Sequence, residues 1–275
     1  MATPPPLFDP NIRNLRRARA GAAQFLLDEA ASQISERLEE INRPFPNRRI
    51  VSPTGGPWVA AGLGHTVIPD EDVLDVAPDS FDLMIHGLCL HAANDPVGQL
   101  IQCRRALKPD GLCLAVLFGG QTLHELRTAL AEAETEIRGG ISPRVHPMAE
   151  IRDLGSLIQR AGFALPVADS FTLTVTYPTP LHLMHDLRAM GETNAMASQA
   201  RHFMRRDVLT KAFQIYSENF ANSDGRIRAT FELVFLTGWA PAETQQKPLR
   251  PGSAKARLAD ALGVPELPTG DKPGH

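Results

Sequence analysis

Phe81-Asp-Leu-Met-Ile-His86, the stretch Asp95 to Leu107, the turn Lys108-Pro-Asp-Gly111 and the run Leu112 to Phe118 decide the fold. Residues 81–86 read as a buried strand. From 95 to 107, Val97, Leu100, Ile101 and Leu107 recur at helical steps behind a capping Asn94 or Asp95. Residues 112–118 are apolar without interruption, as a strand covered on both faces of a parallel sheet requires. Strand, helix and strand in that order imply an open α/β sheet with helices on both faces.

Upstream, Arg49 to Ser52 is a short strand, Pro57 to Gly62 a brief helix opened by proline, and Thr66 to Pro69 a second strand. That strand runs into the acidic cluster Asp70-Glu71-Asp72. Farther upstream, Asn11 to Asn42 is helical, because Leu15, Ala18, Phe25, Leu26, Ala30, Ile34 and Leu38 recur at three- and four-residue steps. Gly21 divides it, and Pro44 and Pro46 end it.

Downstream, Gly119-Gly120 leads into a helix from Thr122 to Arg138, and a loop to Pro147 carries Arg144 and His146. A helix over 150–161, an alternating strand over 167–177, helices over 180–190 and 207–220, and a strand over 227–238 complete the pattern. The chain divides into a helical segment 1–46, a main domain 47–240 with a helical cap insert at about 178–222, and an arm 241–275. The arm is basic at Lys247, Arg250, Lys255 and Arg257; it either docks on an acidic partner surface or packs back on the parent domain with Trp239 and Leu249 as anchors, and disorder is expected after Leu262.

With 275 residues, 43% of them apolar, the chain can bury one large core and a small cap. A net charge of −3 excludes bulk nucleic-acid binding. Arg13, Arg16, Arg17 and Arg19 read as a solvated helix face. Cys89, Cys103 and Cys113 lack metal-ligand spacing and read as reduced core thiols. No apolar run approaches the ~20 residues needed to span a bilayer. The first residues show no charged region followed by an apolar one, so a signal peptide is not expected and a cytoplasmic location is. No Walker loop or Ser-His-Asp pattern supports a nucleotidase or hydrolase.

The block Ser80-Phe-Asp-Leu-Met-Ile-His-Gly-Leu-Cys-Leu-His91, with Asn94-Asp95 and Arg105-Ala-Leu-Lys-Pro-Asp-Gly111, resembles the fourth-to-fifth-strand segment of class I S-adenosylmethionine-dependent methyltransferases. Two subgroups are nearest: malonyl-carrier O-methyltransferases and the methyltransferase-fold assembly factors of respiratory complex I. Leu7-Phe-Asp9, Gly119 to Arg127, Gly140 to Val145, Gln159 to Phe163 and Gln245 to Ser253 carry the second likeness. The resemblance implies a Rossmann-like, mostly parallel sheet and S-adenosylmethionine as cofactor. It implies cofactor contacts at Gly55, Gly56, Asp70, Glu71 and Leu88, and reaction-side contacts at His91 and Arg144. A protein substrate or complex I subunit is the implied partner, and some members of the branch are credited with hydroxylating an arginine.

The first strand departs from the family's Asp-x-Gly-x-Gly-x-Gly ending. Ser52 and Pro53 stand at its start, only Gly55 and Gly56 remain, and Trp58 follows. Glycines there let backbone approach a ligand without a Cβ in the way. Ser52 to Asp70 spans 70 − 52 = 18 steps, room for one helix–strand unit where the family has two. Counting back from Phe81 places Asp70 at the adenosine-contacting position, and counting forward from Gly55 places Glu71 or Asp72 there; the first register is favoured. His91 reads as a base or substrate contact, or as a structural histidine; His86 reads as a core residue. Arg144 suits a carboxylate or peptide acceptor, or ties its loop to a helix end. The expected function is a methyltransferase-like protein with weak or lost methyl transfer, or else a non-catalytic or arginine-hydroxylating scaffold in complex I assembly.

Overall fold

The computed structural model describes residues 5–21, 23–200 and 203–245. The arm beyond 245, with its basic residues, its Leu249 anchor and its expected disorder, lies outside the described residues. The described residues up to Pro241 form one compact unit.

Two helices come first, α1 (Pro10–Ala18) and α2 (Phe25–Ile41). Asp9 starts α1 by accepting from the N–H groups of Asn11 and Ile12, with Pro10 in the first turn. Asn42 ends α2 in the left-handed conformation. Then follow β1 (Arg48–Val51), α3 (Gly56–Ala60), β2 (Val67–Ile68), β3 (Phe81–Gly87), α4 (Pro96–Ala106) and β4 (Leu107–Phe118). The second half is α5 (His124–Arg138), α6 (Ile151–Arg160), β5 (Ala164–Tyr177), α7 (Pro180–Ala189), α8 (Arg206–Phe220) and β6 (Ile227–Trp239).

One six-stranded sheet results, in the order β2-β1-β3-β4-β6-β5. The first four strands in that order run parallel, and β6 is antiparallel to both its neighbours. A single helix–strand unit, α3–β2, joins β1 to β3, as the 18-step spacing requires. The expected turn at residues 108–111 is instead a bulge inside β4. Phe81 pairs with Leu107 and Leu83 with Leu112, so the residues between are looped out, with Asp110 at φ 61°.

Strand alternation splits the core in two. Leu112, Leu114, Val116 and Phe118 face α2, α5, α7 and α8, while Cys113, Ala115 and Leu117 face α4 and α6. The three cysteines are free and buried.

The N-terminal segment lies over the carboxyl ends of the strands. The Phe8 N–H donates to Asn94 Oδ1 at 2.9 Å, and Asn94 Nδ2 donates back to the Phe8 carbonyl at 3.0 Å. Asp9 N–H donates to the Ala195 carbonyl, and Gly21 N–H to that of Ala189. The expectation of a solvated basic face on α1 is therefore corrected. Arg13 is buried, with Nη1 on the Ala92 carbonyl at 3.0 Å, and Arg17 is paired with Asp70. A run of charge on a helix reads as a solvated face; the turn of the segment onto the sheet rim covers Arg13 and much of Arg17, while Arg19 stays exposed.

Candidate functional site

Open α/β sheets bind ligands outside the carboxyl ends of their strands. Here that rim is built by the residues after β1, β2, β3 and β4. After β1, Gly55 caps α3 with φ −98° and Gly56 opens the helix. Neither has a left-handed φ. A Cβ on Gly55 would sit 3.3 Å from Val67 Cγ2, so the loop is packed against β2. Trp58 is fully buried, and its indole N–H donates to Ser52 Oγ at 2.9 Å. The ring covers the end of β3: a Cβ on Gly87 would lie 2.4 Å from Trp58 Cζ2. Gly87 is thus the position that admits the indole.

After β2, Asp70 is 3% exposed and faces inward. Arg17 Nη1 donates to its Oδ1 at 2.5 Å, and Arg13 Nη1 stands 3.9 Å from Oδ2. Burial lowers the affinity of the Arg17 guanidinium for its proton, but Asp70 outweighs it and holds the group above its ordinary value. Glu71 is exposed, and its carbonyl accepts from Gln99 Nε2 at 3.1 Å. Asp72 is exposed too, with its carbonyl accepting from Gln102.

After β3, Leu88 is buried at φ 53°, a conformation that costs a bulky residue about 1–2 kcal/mol. Its N–H on the Val116 carbonyl at 2.9 Å holds it there. His91 follows in a short 3₁₀ turn, Leu90–Ala92. Its ring lies against Phe118 with centroids 4.6 Å apart, and Nε2 meets Glu192 Oε2 at 3.2 Å. Its Nδ1 is buried without a partner. Burial raises the Glu192 carboxyl, yet His91 and Arg17 together hold it below its ordinary value. His86 is a neutral core histidine: burial pushes it down to about 4, and Nε2 meets Gln99 Oε1 at 2.8 Å.

Arg144 is farther off. Its Nε and Nη2 donate to Glu134 Oε1 of α5 at 2.8 and 2.7 Å. His146 accepts from the Ala195 N–H at 3.0 Å and is pushed down to about 4, first by burial and then by His91.

Two cavities open on this rim. One, of about 300 Å³, lies among Arg17, Gln24, Thr54, Leu88, Phe118 and Glu192. The other, of about 450 Å³, includes Arg16, Arg144, Arg188, Met184 and Phe231, and meets the first at Leu26, Phe118 and Glu192. Of the sequence-derived candidates, Leu88 lines the first and Arg144 the second. Gly55, Gly56, Asp70, Glu71 and His91 line neither, although His91 orients Glu192, which lines both. Sequence reasoning missed Glu192 and Arg17. Glu192 sits in an ordinary Gly-Glu-Thr-Asn loop, and only its placement between the cavities marks it. Arg17 was visible as a charge but not as a partner.

Comparison with known proteins adds to this geometry. Residues 62–115 match the methyltransferase domain family. The chain is 34% identical over 275 residues to the human protein named arginine-hydroxylase NDUFAF5, mitochondrial, covering 90% of this chain and 79% of the relative. The Danio rerio protein of that name is 33% identical, with 88% and 84% covered. The chain belongs to the class I S-adenosylmethionine-dependent methyltransferases, in the complex I assembly factor subgroup. The malonyl-[acyl-carrier protein] O-methyltransferase of Halorhodospira halophila is 34% identical, with 70% of this chain and 62% of the relative covered. The fold is shared with the YcgJ protein of Bacillus subtilis, at a TM-score of 0.50 and 12% identity, covering 78% of this chain and 99% of that one.

The protein is therefore methyltransferase-like, on a fold that binds S-adenosylmethionine. One expectation is overturned: relatives that align over 86–90% of this chain are named as mitochondrial, so the cytoplasmic location does not stand. Among the described residues no helix is long and apolar enough to cross a membrane.

Proposed function

We propose that this chain acts in complex I assembly by binding a protein, and that methyl transfer has been lost in it. The observation that carries the reading is the closed adenosine side of the rim. Asp70, the acid expected to meet the adenosine, is buried under Arg17 and Arg13, and Trp58 occupies the end of β3. The cofactor's other end retains a cavity beside Thr54 and Leu88, but at about 300 Å³ it is at the lower limit of ligand pockets. The residues present fit one end of S-adenosylmethionine and not the other.

Methyl transfer from a sulfonium depends chiefly on binding and alignment. A protein that does not bind the nucleoside keeps little of that catalysis. In this reading residues 1–46 form the lid, 47–240 the methyltransferase-like domain, and the insert at about 178–222 one wall of the larger cavity. Gly55, Gly56, Asp70, Glu71 and Leu88 mark the former cofactor side. His91 and Arg144 shape the acceptor side, His91 by orienting Glu192 and Arg144 by fixing its loop to Glu134.

Calorimetric titration with S-adenosylmethionine and S-adenosylhomocysteine tests the reading. No heat and no thermal stabilisation at millimolar ligand are expected. Micromolar binding that disappears in Asp70→Ala overturns it and restores an enzyme, either a methyltransferase or an arginine hydroxylase. In the native host, deletion is expected to reduce assembled complex I. Wild type is expected to rescue it, and so is Asp70→Asn once its level in the cell is matched to wild type, because the expected cost of that variant is in stability and not in partner binding.

A further inference from the structure

The larger cavity carries charge that nothing among the described residues neutralises. Among the described residues three arginines line it: Arg16 from α1, Arg144 from the loop after α5, and Arg188 from α7. Arg144 is satisfied by Glu134. Arg16 and Arg188 have no side-chain partner among the described residues, and Arg16 Nε is buried without a hydrogen bond. Among the described residues the one acid in the lining is Glu192, which is paired with His91, and His146 is neutral. Two guanidiniums therefore face the cavity uncompensated by any described residue. The remaining lining is apolar and adaptable, with Leu126, Leu130 and Phe231 beside Met148, Met184 and Met204. Flexible thioether side chains repack around varied shapes. Phe203, at the margin, is 99% exposed.

We propose that this cavity is the docking site for an acidic segment of a protein partner, one carboxylate pairing with Arg16 and Arg188 while a neighbouring apolar side chain enters the methionine-lined floor. Guanidinium forks suit carboxylates, and uncompensated cations disfavour a basic side chain in the same space. The exposed Phe203 extends apolar contact past the cavity mouth, as suits a polypeptide more than a small acid. The assignment rests on the protein-binding reading above and names the chemistry of the partner.

The test uses the full-length protein and a short fluorescein-labelled peptide alternating glutamate and leucine, read by anisotropy. Counterparts with glutamine or lysine replacing glutamate, and hexanoate as a free acid, complete the set. The acidic peptide is expected to bind, to weaken with added salt, and to lose about tenfold in affinity in Arg16→Gln and again in Arg188→Gln. Arg160→Gln, on α6, is expected to bind like wild type. Melting curves establish that each variant is folded. Equal binding of the glutamine or lysine peptides, no binding of the acidic one, or affinities unchanged in both variants overturns the assignment. Displacement of the peptide by hexanoate at similar concentration also overturns it, by making the site one for small acids. S-adenosylmethionine binding would sink the loss of methyl transfer while leaving the peptide result standing, so the two failures are distinguishable.

Discussion

The two crossover units that meet at β3 differ in what holds them. In β3–α4–β4 the strands are long and apolar, α4 is capped by Asp95 on the Gly98 N–H at 2.8 Å, and pairing runs from Phe81 to Gly87. In β1–α3–β2 the strands are four and two residues long, and pairing between them is limited to Ile50 with Val67 and Val51 with Ile68. What stands in for length there is a set of side-chain inserts: the Trp58 indole on Gly87 and the Asp70 carboxylate under two arginines. In the reading proposed above, these inserts fill the rim positions that would approach a nucleoside. The sheet keeps its six-stranded architecture although this unit pairs over only two positions.

The sharpest way to break this contrast is Trp58→Ala. A buried tryptophan truncated to alanine costs about 3–5 kcal/mol, and urea unfolding should show it. The same variant empties the end of β3. If Trp58 alone closes the rim, S-adenosylhomocysteine binding should appear with the loss of stability. Unchanged stability would mean that the indole is not what holds this unit.

Asp70→Asn comes next. It leaves Arg17 and Arg13 buried without a carboxylate, and breaking a buried pair costs about 3 kcal/mol. A cost below ~1 kcal/mol would place the pair among ordinary surface contacts.

Acid supplies a third test, aimed at the better-formed unit. His86 is held at about 4 in the folded protein against 6.5 ordinarily. The unfolded chain thus binds the extra proton first, so stability present above pH 6.5 is lost as pH falls toward 4. Between pH 7.5 and 5.5 the loss from His86 is about 1 kcal/mol; His146, also held at about 4, contributes in the same window, so a His86→Gln variant should remove His86's share of the slope and leave the rest.

The smallest effect is expected from Lys108→Ala. Lys108 Nζ pairs with Asp82 Oδ1 at 2.9 Å at the surface, and such pairs contribute about 0.5 kcal/mol or less. A larger loss in thermal unfolding would show that the bulge at 108–111 depends on the pair.

Sequence alone determined the class of fold and the order of its elements. Unbroken apolar strands, helical spacing and capping residues are local properties, and 81–118 displays all of them. The missing helix–strand unit was legible as well, because chain length between two anchors limits what can fit. The absence of the family's glycines was legible for a different reason: a Cβ at the turn is a property of one residue. What no local pattern carried was the use made of the altered rim. Arg17 and Asp70 are 53 residues apart, and His91 and Glu192 are 101 apart. Charges at such separations have no spacing rule, so a basic helix face reads as solvated until the chain is folded over the sheet. Only the tertiary structure could decide that these arginines are buried, that Trp58 lies on Gly87, and that Arg16 and Arg188 share one cavity, because burial and pairing are set by which elements meet and not by their order.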